Sequence, residues 1–60
     1  MTKNVRVTER IFQGRPQNIY TGTITGTDIN NVIFLAQAAW RTHFNLPNYP
    51  ATEITVTILN

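Results

Sequence analysis

Gly26-Thr27-Asp28-Ile29-Asn30-Asn31-Val32-Ile33-Phe34-Leu35-Ala36-Gln37-Ala38-Ala39-Trp40-Arg41-Thr42-His43-Phe44-Asn45 is the longest stretch with helical periodicity, and the rest of the architecture has to fit around it. At about 100° per residue, Ile29, Val32, Ile33, Ala36, Ala39, Trp40 and Phe44 share one broad apolar face, which predicts a helix over Asp28–Phe44. Thr27 or Asp28 is placed to cap its first free amides, and Pro47 stops it just beyond Asn45. One helix with one apolar face needs a sheet to cover.

That sheet is legible on either side. Val5 to Phe12 reads as a first strand, with Val5, Val7 and Ile11 on one face and Arg6, Thr8 and Arg10 on the other. Glu9 is the exception, a carboxylate on the apolar face. Gln13-Gly14-Arg15-Pro16-Gln17-Asn18 collects turn formers. Ile19 to Thr25 is a second strand, turning Tyr20 and Ile24 one way and Ile19, Thr21, Thr23 and Thr25 the other. Glu53 to Leu59 is the third, with Ile54, Val56 and Ile58 inward and Thr55 and Thr57 outward. A short turn makes the first two strands an antiparallel hairpin, and the helix carries the chain to the third by a crossover. With the first strand in the centre, every pair is antiparallel. The expected fold is therefore α+β: a small three-stranded antiparallel sheet, ββαβ in order 2-1-3, with one helix packed on one face.

Composition narrows the possible functions. Sixty residues leave room for one domain, 1–60, and a chain of this size buries too little surface to be more than marginally stable. With no cysteine, disulfide scaffolds, zinc fingers and thiol nucleophiles are excluded. Neither a membrane span nor the apolar core of a signal peptide is present, so the expectation is a soluble, cytoplasmic protein. Charged residues make up 13% of the chain, against a norm of about 25%. The pI near 9.7 rests on a net charge of only +2. Thr, Asn and Gln supply 20 of the 60 residues.

Catalysis finds little to work with. One His, one Asp and two Glu are scattered, and no spacing brings two carboxylates or a base and its partner together. His43 suits the negative end of the helix dipole and Asp28 the positive end, which accounts for both. Neither a metal site nor a cofactor is expected. Gly22-Thr23-Ile24-Thr25-Gly26-Thr27 runs from strand to helix but matches no phosphate-binding pattern, and Asp28 stands where a phosphate would sit. Trp40, Phe44 and Tyr49, with Pro47 and Pro50, read as core rather than as a ligand pocket.

Two surfaces remain. Phe34, Leu35 and Ala38 lie away from the sheet, where a lone helix on a small domain should be polar. They read as a protein contact, unless Leu46–Pro50 folds back over them. The third strand carries one charge and no proline, so its edge is open to pairing. Ile54, Val56 and Ile58 thus join Phe34, Leu35 and Ala38 in an expected protein interface, with a homodimer continuing its sheet across the third strand. The other surface is the outer sheet face, where Arg6, Arg10 and Arg15, with Lys3 at one end and Phe12 alongside, form a basic, Thr-rich strip for nucleic acid or a nucleotide. The reading is a non-catalytic homo-oligomer, accessory or inhibitory, that binds another macromolecule. An anion-binding module is its alternative.

Overall fold

A computed structural model describes residues 1–10 and 18–60. Three strands, β1 (Thr2–Glu9), β2 (Ile19–Thr25) and β3 (Ile54–Ile58), form one sheet in the order β2-β1-β3, and both pairings are antiparallel. The helix α1 (Ile29–Phe44) packs on one face, and a short 3-10 turn, Ala51–Glu53, leads into β3. The α+β, ββαβ arrangement is the one the alternation and the crossover require. The first strand starts earlier than its β-former pattern suggests, because Thr2 and Lys3 pair with Thr25 and Ile24. Ile11 and Phe12, assigned to the end of that strand, lie outside the described residues, as do Gln13 to Gln17.

Parity sorts the side chains. Lys3, Val5, Val7 and Glu9 share the helix-facing side with Tyr20, Gly22 and Ile24 of β2 and with Ile54, Val56 and Ile58 of β3. Val5, Val7, Ile24, Val32, Ala36, Trp40 and Ile54 form the buried core. Within α1 the fully covered residues are Val32, Ala36 and Trp40, an i, i+4, i+8 line. This line is narrower than the expected stripe, since Ile29 in the first turn is exposed and Ile33 is half-buried.

Both helix ends are closed by side chains or by backbone geometry. Asp28 is the N-cap: its carboxylate accepts from the Asn31 N–H at 2.9 Å, and the Asn31 side-chain oxygen accepts from the Thr27 N–H at 2.9 Å. The arrangement is a variant of the capping box, with the Asn31 side chain reaching Thr27, the residue before the cap, rather than Asp28 itself. At the other end Asn45 adopts the left-handed conformation (φ 56°, ψ 46°), and Leu46 N–H reaches back to Arg41 O at 2.9 Å. The result is a Schellman closure, with asparagine in the place glycine usually fills.

Tertiary packing gives Glu9 a partner. The Trp40 indole N–H donates to Asn18 O at 3.0 Å, and the Asn18 amide donates to the Glu9 carboxylate at 3.2 Å. Trp40 also meets Phe44 and Tyr49 in tilted arrangements, with centroids 5.3 and 5.0 Å apart. The Tyr49 phenol is held above its ordinary 10.0, first by loss of surrounding water and then by the negative charges of Glu9 and Glu53. A raised pKa means that the folded state holds the phenolic proton more tightly than the unfolded chain. The resulting stability is present below pH 10.0 and is lost as pH rises through the folded value. Replacing Tyr49 with Phe should therefore flatten the alkaline limb of a stability–pH curve. Parallel alkaline limbs for the two proteins would refute the assignment.

Candidate functional site: the two sheet edges, the helix flank and the open sheet face

Because α1 covers one face only, the other side of the sheet is open. Its centre is Arg6, aligned with Thr21 on β2 and Thr57 on β3. Around it stand Thr2, Asn4, Thr8, Thr23, Thr25 and Thr55. Thr23 donates to Asn4 at 2.8 Å, and the Thr2 and Thr25 hydroxyls share a bond of 2.9 Å. Much of the hydroxyl capacity is spent within the face itself.

The basic strip is thinner here than its composition implies. Arg10 lies 3.7 Å from the Glu53 carboxylate, and its own N–H also donates to Glu53 O. Lys3 is not on this face at all: its register with Ile24 places it on the helix side, with Val5 and Val7. Arg15 and Phe12 fall outside the described residues. Arg6 is left as the one arginine of the strip without a carboxylate partner among the described residues.

The helix flank also differs from its reading. The buried line is centred on Ala36, so Leu35 sits about 100° to one side, at the seam with β2, and packs half-buried against the core. Leu35 is therefore not on the outward side, where the periodicity placed it. Phe34 does face outward, and at 63% exposure it is the most exposed large apolar residue described. Leu46–Pro50 does not cover it. Leu46 and Tyr49 pack on the core instead, and the Arg41 Nε–H holds the segment by donating to Tyr49 O at 2.8 Å. A shallow groove of about 470 Å³ follows the seam, lined by Tyr20, Leu35, Ala38, Ala39, Thr42 and His43. Its lining carries no Asp, Glu, Lys or Arg. His43 meets the Tyr20 ring at 5.3 Å and Phe44 edge-on at 4.7 Å.

The edges differ from each other. In an antiparallel ladder alternate residues direct both backbone groups to one neighbour. Leu59 N–H bonds Asn4 O and Arg10 N–H bonds Glu53 O, so on β3 Thr55 and Thr57 face β1 while Ile54, Val56 and Ile58 face out. Ile54 is not free, however. Its N–H donates to Ala51 O, and its carbonyl accepts from the Gln37 amide at 3.2 Å. Its side chain is buried in the core, and Val56 and Ile58 pack half-buried against it. The β3 edge, read from the sequence as unguarded, is closed at its start by Gln37, a residue that helical spacing assigns to the solvent side. Only Val56 and Ile58 keep outward backbone groups.

On β2 the phase is set by Gly26 N–H bonding Met1 O. Tyr20, Gly22 and Ile24 face β1, and Ile19, Thr21, Thr23 and Thr25 face out. None of these four has its backbone engaged among the described residues. The strand carries no charge and no proline. Sequence patterning shows that β2 is a strand but not that it is the open edge, since both outer strands look alike until Gln37 is placed.

The chain matches no protein-family model, no curated protein and no solved structure. Among the described residues, no three His, Cys, Asp or Glu side chains gather in a way that could hold a metal, and no helix is long and apolar enough to cross a membrane.

Proposed function

We propose that this chain is a small non-catalytic interaction protein that associates with itself and binds another macromolecule in an accessory or inhibitory role. The observation that carries this reading is that both outer strands of the sheet, β2 and β3, are free of charge and proline. Exposed edges are ordinarily blunted by such residues. Phe34, on the outward side of α1, adds apolar surface that a solitary helix would not expose.

The test is mass in solution, by light scattering on a sizing column at low and high salt. An oligomer that persists in salt, and that Phe34→Asp weakens, is the expected result. A monomer at every concentration would overturn the self-association. The alternative, nucleic-acid or nucleotide binding at the outer face, draws on the central placement of Arg6 between Thr21 and Thr57. It requires an oligonucleotide affinity that falls steeply with salt and is lost in Arg6→Ala.

A further inference from the structure

We infer that the self-association surface is the β2 edge together with the seam groove above it, and that its occupant is a second copy of this chain, paired antiparallel about a two-fold axis at Gly22. This inference rests on the self-association proposed above and replaces β3 as the pairing strand.

Three observations converge on it. The first is hydrogen-bonding capacity. Ile19, Thr21, Thr23 and Thr25 present outward N–H and C=O groups, whereas β3 retains only those of Val56 and Ile58. An axis at Gly22 pairs Thr21 with Thr23 of the second copy and Ile19 with Thr25, each pair exchanging two bonds. That is twice the number β3 can offer.

The second is self-complementarity. Ile19-Tyr20-Thr21-Gly22-Thr23-Ile24-Thr25 is symmetric in character about its glycine. Antiparallel self-pairing sets Thr21 beside Thr23 and Ile19 beside Thr25 on the open face, and Tyr20 beside Ile24 on the helix side. All are pairs of β-branched or aromatic residues, and no like charges meet. Gly22 leaves room for this. The Tyr20 ring lies along its own strand over Gly22, close enough that a Cβ there would stand 2.6 Å from the Tyr20 hydroxyl. The ring thus follows the strand.

The third is continuity. The groove of Tyr20, Leu35, Ala38, Ala39, Thr42 and His43 lies between α1 and this same edge. A two-fold axis normal to the sheet keeps both helices on one side, so the two grooves face each other. Phe34, exposed one turn before Ala38 on α1, is the nearest large apolar side chain on the outward side of the helix. Neither β2 nor the groove lining carries an Asp, Glu, Lys or Arg, so salt should have little effect on the dimer.

Amide hydrogen exchange on the wild-type chain across a concentration series tests this directly. Protection of the Ile19, Thr21, Thr23 and Thr25 amides should rise as the dimer forms, while Val56 and Ile58 stay at their dilute values. Thr21→Lys with Thr23→Lys sets like charges across the axis on an exposed face and should weaken the dimer by about tenfold or more. Thr57→Lys, the matched change on β3, should leave it intact. Circular dichroism checks that each variant is folded. Protection at Val56 and Ile58, dissociation by Thr57→Lys alone, or a dimer that protects neither edge would overturn the β2 assignment and leave self-association standing. A wild-type chain that remains monomeric overturns both.

Discussion

Replacing Trp40 with alanine is expected to abolish the cooperative thermal transition or bring its midpoint close to room temperature. Trp40 is the largest fully buried side chain, and it touches the core in two ways. Its rings pack against Phe44 and Tyr49, and its indole N–H holds Asn18 O, which in turn aligns the amide that satisfies Glu9. Large aromatic-to-alanine changes in cores cost about 3–5 kcal/mol. A 60-residue domain has a total stability of roughly 3–9 kcal/mol at typical values per residue. The loss is therefore comparable to all the stability available. Trp40→Phe separates the two contributions. It removes the hydrogen bond, worth about 1 kcal/mol because Asn18 is exposed and water can replace the donor, and leaves a smaller cavity than alanine, so its total cost falls between wild type and Trp40→Ala. A wild-type-like denaturation curve for Trp40→Ala would show that the core is centred elsewhere.

The second large effect separates two glycines that look alike in the sequence. At Gly26 an added Cβ would stand 2.6 Å from the Asn31 side-chain oxygen and 3.0 Å from the Val32 backbone nitrogen. The first turn of α1 would have to move, and with it the bond from Thr27 N–H that completes the cap. Gly26→Ala should cost about 1–3 kcal/mol. At Gly22 the obstacle is the far end of the Tyr20 side chain, which can swing aside. A less flexible unfolded chain gives back about 0.4–1 kcal/mol, so Gly22→Ala should be close to neutral in stability. Denaturant midpoints of the two variants decide the matter. Equal midpoints would mean that the helix start is not held as described.

The same contrast shows which local features were readable. Asp28 and Asn45 end the helix for reasons visible in a short window: a carboxylate ahead of free amides, and a residue tolerant of a left-handed backbone before a proline. Leu35 and Lys3 lie elsewhere than composition and spacing imply, because each placement needs a phase. Leu35 depends on which line of α1 is centred on the sheet. Lys3 depends on which residues of β1 share a side with Val5, a parity that its charge alone does not reveal.

The open sheet face was legible as a pattern of threonine and arginine, but not in its charge balance. Arg10 and Glu53 are 43 positions apart, and only the β1–β3 register brings them together. That pair leaves Arg6 as the arginine at the centre of the face.

The element order, the strand pairing and the side of each strand that α1 covers are all written in the amino-acid pattern. These follow from hydrophobic period and connection length, which are local quantities. The packing of α1 on the sheet sets the rest: Glu9 is satisfied through Asn18, Gln37 closes the start of β3, and among the described residues the outward backbone groups of Ile19, Thr21, Thr23 and Thr25 on β2 have no partner. Each of these depends on a hydrogen bond, or on its absence, between elements distant in the chain. Periodicity tells which way a side chain points, but what it meets there is set by how the helix lies across the sheet.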